Sequence, residues 1–143
     1  MDAHLAYRLL LADVYELAGL SRRISDREAA AQGTTTARWH VLSAVSEEPA
    51  TVPAIARRLG LVRQAVQRVA NDLVAAGELE RRPNPGHARS ALLGITPAGR
   101  ARLEALWSES RQSRIALLAA AGVTPADLAA TRATLDRILA ALR

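Results

Sequence analysis

Two helical patterns separated by a tight turn lie between Thr51 and Gly77, and they constrain the fold more than any other feature of the chain. Thr51 suits the N-cap of a short helix over residues 53–59, because its hydroxyl can accept a hydrogen bond from a backbone N–H of the first turn. Gly60 is placed to end that helix in the left-handed conformation. A second helix is predicted almost at once, over residues 63–76. Two helices joined by so few residues form a helix-turn-helix.

Two short extended patterns follow the second of these helices. Residues 78–81 alternate between polar and apolar side chains, and residues 91–95 form an apolar run typical of a β-strand. Residues 82–90 between them contain Pro, Asn and Gly, which indicates a turn. The pattern predicts a β-hairpin with a basic tip, which is a wing beside the helix-turn-helix.

Longer helical patterns lie on both sides of this central part. Apolar residues recur at spacings of three and four over residues 3–31, and a further helix passes through Trp39. Another helix is predicted over residues 97–121, and a last one begins at a capping-box pattern that starts with Thr124. The predicted fold class is therefore mainly α with a small β-hairpin wing.

Composition excludes several kinds of site. The chain has 143 residues and is 50% hydrophobic, which fits one ordinary domain with a real core. It contains no Cys, which excludes disulfides, thiolate metal sites, cysteine nucleophiles and thiol redox sensing. The three His lie on separate predicted elements, so no metal site is expected, and no cofactor is expected either.

Charge is distributed unevenly along the chain. Residues 1–50 carry five Arg against seven acidic residues, whereas residues 51–90 carry seven Arg against three. The middle of the chain is therefore the candidate for a surface that binds a polyanion. No signal peptide and no membrane span is recognised, so a cytoplasmic location without membrane contact is expected.

Five segments follow one another at a characteristic spacing. They are Thr35-Thr36-Ala37-Arg38-Trp39-His40-Val41-Leu42, Thr51-Val52-Pro53-Ala54-Ile55-Ala56-Arg57-Arg58-Leu59-Gly60, Arg63-Gln64-Ala65-Val66-Gln67-Arg68-Val69-Ala70-Asn71-Asp72-Leu73, Gly77-Glu78-Leu79-Glu80-Arg81 and Ile95-Thr96-Pro97-Ala98-Gly99. In this order they resemble the MarR family of winged helix-turn-helix transcription regulators over nearly the whole chain. The resemblance implies one domain over residues 1–143, with a winged helix at about 34–96 and dimerisation helices at about 3–31 and 97–142.

Three positions depart from the family's pattern. His87 replaces the acidic residue that commonly precedes the wing arginine by two positions, while the arginine itself is kept as Arg89. Val62 lies where a Ser or Thr often caps the recognition helix, and valine has no group that can cap. Ala54 replaces the acidic residue of the preceding helix. These departures predict the family fold with altered DNA contacts.

The second helix of the pair is the candidate recognition helix. An α-helix fits the major groove of B-DNA, and its first two turns reach the base edges. The wing arginine suits the minor groove, and helix N-termini favour phosphates. The predicted DNA-binding residues are Arg63, Gln64, Gln67 and Arg68 for bases, Arg89 and His87 on the wing, and Arg57 and Thr51 for phosphates.

The resemblance also implies a homodimer and a ligand. The terminal helices of MarR proteins interlock, and a two-fold dimer reads a pseudopalindromic operator in double-stranded DNA. Many members release DNA when a small anionic or phenolic ligand binds between the dimer helices and the winged domain. The residues expected to line such a pocket in this chain are Tyr15, Arg38, Trp39, His40 and Trp107.

Three other classes of function compete with a ligand-responsive repressor. A nucleoid-type protein binds DNA with little sequence preference, and a winged-helix interaction module binds protein instead of DNA. An enzyme is not expected, because the sequence contains no Gly-rich phosphate loop, no His-Glu metal spacing and no nucleophile motif.

Overall fold

Six helices and one antiparallel hairpin make up the chain, and the computed structural model describes all residues from Met1 to Arg143. The elements, in order, are α1 (Ala3–Ala31), α2 (Thr36–Ala44), α3 (Val52–Leu59), α4 (Arg63–Ala75), β1 (Leu79–Arg82), β2 (Leu92–Ile95), α5 (Pro97–Ala120) and α6 (Pro125–Leu142). The predicted order of elements and the mainly α class with a β-hairpin are confirmed. The chain divides into two compact units, Met1–Trp107 and Ser108–Arg143.

Local signals in the sequence explain where the central helices begin and end. Thr35 caps α2, since its hydroxyl accepts a hydrogen bond from the Arg38 N–H at 3.2 Å. Thr51 caps α3 in the same way, at 3.3 Å from the Ala54 N–H. Gly60 ends α3 with φ 65°, a conformation that glycine adopts without steric cost. Val62 makes no side-chain cap for α4, as the sequence predicted.

The first unit has a continuous aliphatic core around the helix-turn-helix. Its residues come from all the elements between the end of α1 and the first part of α5. With only two Trp, two Tyr and no Phe in the chain, Leu, Val, Ile and Ala fill this core together with Trp39. The buried members are Ala29, Trp39, Val41, Leu42, Val45, Ile55, Ala56, Val66, Ala70, Leu73, Leu79, Leu93, Leu103 and Leu106.

Arginine side chains tie the start of α5 to the preceding elements. Arg100 Nη2 donates to the backbone oxygen of Ser46 at 2.6 Å. Arg102 Nη1 donates to the backbone oxygen of Gln32 at 2.6 Å, and its Nε lies 3.3 Å from the Glu78 carboxylate. Hydrogen bonds of a charged group to backbone oxygens are stronger than neutral ones. They fix the hairpin and the first turns of α5 to the core.

The second unit contains the last turns of α5 and all of α6. Its helix α6 begins at the predicted capping box, in which Thr124 Oγ1 accepts from the Asp127 N–H and the Asp127 carboxylate accepts from the Thr124 N–H. No residue of α6 is buried. No helix of the chain is long and apolar enough to cross a membrane.

Candidate nucleic-acid interface

The wing is held at both ends of its hairpin. Strand β1 pairs with β2 from Leu79↔Ile95 to Arg82↔Leu92, and Ala50 adds a bridge to Leu93 on the other edge of β2. At the tip, Asn84 Nδ2 donates to the Ser90 backbone oxygen at 2.9 Å. The tip therefore has a defined turn in the free protein, rather than one formed only on binding.

A recess of about 410 Å³ opens between the helix-turn-helix and the wing. Three arginines line it, which are Arg63 at the start of α4, Arg81 on β1 and Arg89 near the wing tip. No carboxylate lines it. The other lining residues are Val52, Pro53, Gln67, Ser90, Ala91 and Leu93. The recess is a concentration of positive charge on one face of the first unit.

Helix α4, the candidate recognition helix, presents two rows of polar residues at a spacing of four. Arg63 and Gln67 face the recess, and Gln67 Nε2 donates to Asn71 Oδ1 at 2.9 Å. Gln64 and Arg68 form the second row, and both are exposed. Residues four apart lie on the same face of a helix, so the two rows are parallel. All four predicted base-contacting residues are therefore available to a ligand from outside.

The remaining predicted contact residues lie on α3, at its N-cap and on the wing. Arg57 on α3 and His87 and Arg89 on the wing are exposed. The Thr51 hydroxyl accepts its capping bond from the Ala54 N–H at the start of α3 and keeps its own O–H as a donor. Phosphate contact at Thr51 stays a prediction.

Comparison with known proteins identifies the family that this arrangement resembles. A model of the MarR family matches residues 32–90, which comprise α2, α3, α4 and most of the wing. An uncharacterised protein of Mycobacterium tuberculosis, Rv2011c, is 51% identical over 134 residues, which are 94% of this chain and 92% of that protein. A MarR-family transcriptional regulator from Silicibacter pomeroyi superposes with a TM-score of 0.77 at 27% identity, over 91% of this chain and 87% of that one.

The winged helix of this chain, residues 32–90, belongs to the MarR family. A mutant MarR from E. coli complexed with operator DNA shares the fold, with a TM-score of 0.71 at 22% identity over 97% of this chain and 99% of that one. The resemblance carried by the five segments is thus confirmed. The MarR family is one of DNA-binding transcription regulators and not of enzymes.

The residues predicted to line a MarR-type ligand pocket have different environments. Trp39 is 6% exposed and belongs to the aliphatic core, whereas Tyr15 is 74% exposed on α1 and Trp107 is 41% exposed on α5. Arg38 reaches recognition helix α4, where its Nη2 lies 3.6 Å from Asp72 Oδ2. His40 lies on α2 with its ring only partly exposed. Their role in binding a ligand stays a prediction.

Sequence reasoning missed two polar residues beside the recess, Asn71 and Arg81. Asn71 Oδ1 accepts from Arg81 Nη2 at 2.8 Å as well as from Gln67. Asn71 continues the row of Arg63 and Gln67 at the helical spacing of four, and this spacing is the signal that could have found it. Arg81 gave no such signal, because only the folded hairpin brings β1 beside α4.

A small polar cluster joins α1 to α2 in this MarR-family chain. Thr36 Oγ1 donates to Asp26 Oδ1 at 2.5 Å. Partial burial of the ring and the nearby Arg22 guanidinium lower the pKa of His40 from its ordinary value of 6.5, and Asp26 opposes them. The neutral imidazole is therefore the form that the folded state favours.

Stability is expected to fall as the pH drops below 6.5, through His40. The folded chain binds this proton less readily than the unfolded chain, so protonation favours unfolding and stability rises with pH in this window. Thermal unfolding at pH 7.5 and pH 5.5 measures the effect. His40→Gln should show a smaller loss between the two pH values than the wild type. Equal losses in the two proteins would contradict the assignment.

Proposed function

We propose that this protein is a dimeric, sequence-specific transcription repressor that binds a pseudopalindromic operator and responds to a small ligand. The observation that carries the proposal is the convergence of Arg63, Arg81 and Arg89 on one recess beside the recognition helix. Uncompensated guanidinium groups attract phosphates and bind them with paired hydrogen bonds. The arrangement suits the backbone of double-stranded DNA.

Acidic residues near this face are already engaged by other arginines. Glu80 pairs with Arg82 at 2.8 Å, and Asp72 pairs with Arg38 at 3.6 Å. The carboxylates therefore do not neutralise the three arginines of the recess. Each phosphate that such a group contacts releases condensed counterions, so binding is expected to weaken steeply with salt.

Sequence preference is assigned to the exposed rows of α4. Arg presents two donors to guanine, and Gln presents a donor and an acceptor to adenine. Arg68 and Gln64 are exposed and lie in the first two turns, where a recognition helix meets base edges. These contacts are what separates a regulator from a nucleoid-type protein, which relies on phosphates alone.

Dimerisation is supported by apolar side chains that remain exposed on the terminal helices. Leu17 is 69% exposed on α1, Leu117 is 60% exposed on α5, and Leu139 is 46% exposed on α6. Because monomeric proteins rarely expose so many large apolar side chains, we assign these helices to a two-fold dimer. Two recognition helices then read half-sites about one helical turn of DNA apart.

A ligand response is proposed at the junction of α1, α2 and α5. The Arg38–Asp72 pair connects α2 directly to the recognition helix. A small anionic or phenolic molecule that engages Arg38 would compete with Asp72, and the orientation of α4 would respond. Tyr15, Trp39, His40 and Trp107 are the further residues proposed for this site.

Selection of genomic fragments with the purified protein tests the main proposal. At about 150 mM salt, non-specific binding is suppressed, so a specific regulator recovers one shared palindromic site. Fragments without a shared site would favour the nucleoid-type alternative. Recovery of no fragment at all would favour the protein-interaction module.

Arg68→Ala is expected to cost about 1–3 kcal/mol of operator binding and to relax the preference at one base pair of each half-site. Arg57→Ala is the control, because a phosphate contact from α3 should weaken operator and random DNA alike. Binding isotherms on both DNAs, at several salt concentrations, separate the two effects. Equal losses on operator and random DNA for Arg68→Ala would make it a phosphate contact instead of a base contact.

A further inference from the structure

Asn71 connects the recognition helix to the wing through one atom. Its Oδ1 accepts a hydrogen bond from Gln67 Nε2 at 2.9 Å, one turn earlier on α4. The same oxygen accepts from Arg81 Nη2 at 2.8 Å, on β1. All three side chains are exposed, and both Gln67 and Arg81 line the recess. The chain of contacts lies on the face proposed to bind DNA.

The chemistry of arginine decides the orientation of both amides. A guanidinium has donors and no acceptor, so the Asn71 atom that faces Arg81 must be the carbonyl oxygen. Because Gln67 bonds to this same oxygen of Asn71, it must do so through its donor atom, Nε2. The positive charge on β1 therefore determines which way the Gln67 amide points.

We infer that Arg81, acting through Asn71, is a positioning residue that sets the base preference of Gln67. The inference rests on the proposed function, because it takes α4 to be the helix in the major groove. With one N–H of Nε2 held by Asn71, Gln67 keeps its Oε1 acceptor and its second N–H for a base. The order of this acceptor and this donor along the major groove is then fixed.

A fixed order of acceptor and donor carries sequence information. Adenine offers an N6 donor and an N7 acceptor in the major groove, and glutamine matches this pair when its amide has the right orientation. An amide that can turn over presents the two groups in either order and tolerates more base pairs. The Arg81–Asn71 contact therefore excludes one of the two orders in which Gln67 can present its donor and its acceptor to a base.

DNA binding strengthens this restraint. In the free protein, water competes for the exposed amides, but a recognition helix in the groove excludes much of it. Hydrogen bonds in less polar surroundings are stronger, and an unmatched polar group there is costly. The orientation set by Arg81 thus has its largest effect in the complex.

The test uses the operator recovered by genomic selection and every single-base variant of it. Gln67→Ala first identifies the base pair that Gln67 reads, as the position where preference is lost. Asn71→Ala breaks the connection and keeps every charge, while Asn71→Asp keeps an acceptor for both donors. Arg81→Met removes the positioning group. Arg82→Met is the matched control, since Arg82 lies on the same strand but pairs with Glu80.

We expect Asn71→Ala and Arg81→Met to reduce the preference at the Gln67 base pair at least about fivefold, within the range of one paired contact. Asn71→Asp should retain the preference, and Arg82→Met should weaken all sites evenly. In the Gln67→Ala background, Asn71→Ala should change nothing further at that base pair.

Two results would overturn the inference while leaving the proposed function intact. In one, Asn71→Ala retains the full preference at the Gln67 base pair. In the other, it weakens the preference at all positions equally, as a loosened fold would do. A wild-type protein that selects no specific site would instead refute the proposed function itself.

Discussion

Gly99→Ala is expected to lower the free energy of unfolding by about 3 kcal/mol, the upper part of the range for overpacking a tight site. A Cβ at this position would clash with the backbone carbonyl oxygen of Glu78. That carbonyl cannot move away freely, because it accepts a hydrogen bond from the Thr96 N–H at 3.2 Å. The direction of the change in stability distinguishes this tight contact from an ordinary helical position. In an ordinary helix, replacing Gly with Ala stabilises by about 1 kcal/mol.

Gly86→Ala is the matched control for this substitution. Gly86 lies in the wing turn, and the nearest atom to an added Cβ is Asn84 Oδ1 at 3.7 Å, an ordinary contact. Denaturant unfolding of both variants and the wild type measures the difference. If Gly99→Ala unfolds at the same denaturant concentration as Gly86→Ala, the start of α5 is not packed against Glu78 as described.

In the proposed dimer, Leu139→Glu is expected to raise the dimer dissociation constant roughly 1,000-fold. A buried interface residue of this kind contributes about 2 kcal/mol, and two-fold symmetry places the substitution in the interface twice. The new carboxylate would also lose its hydration without a partner. Since a single winged helix contacts only one half-site, we expect operator affinity to fall together with dimerisation.

Arg137→Glu on the same helix is the control, because Arg137 is exposed, already charged and two residues from Leu139, which places it on the opposite side of the helix. Analytical ultracentrifugation over a range of protein concentrations gives the dissociation constants, and operator titrations give the affinities. A Leu139→Glu protein that remains dimeric would place the interface elsewhere than on α6. If the variant is monomeric but keeps full operator affinity, the protein does not bind the operator as a two-fold dimer.

Local chemistry explains why the elements could be predicted with their bounds. Hydroxyl caps at Thr35, Thr51 and Thr124 accept from backbone N–H groups within three residues, so their signals lie inside the segments they start. The signal of Gly60 is also local, because its left-handed φ of 65° ends α3 directly after Leu59. The period of apolar residues then separates helices from strands. The family resemblance rests on these same short segments.

The candidate site was only partly predictable, because its residues come from elements that are distant in sequence. Arg63, Gln67 and Arg89 were recognised from the helix-turn-helix and the wing, and the recess contains all three. Asn71 and Arg81 were missed. Arg81 reaches Asn71 only after the hairpin packs beside α4, and no local pattern encodes that approach.

The sequence by itself determined the order and type of the helices and strands, and their predicted ends lie within about one residue of the observed ones, since caps, glycines and periodicity act over a few residues. Tertiary structure decided which residues of different elements contact one another. It placed Trp39 in the core, paired Arg38 with Asp72 across two helices, and brought Gly99 against the Glu78 carbonyl. Each of these depends on a distance between residues far apart along the chain. Packing sets such distances, and no short segment contains them.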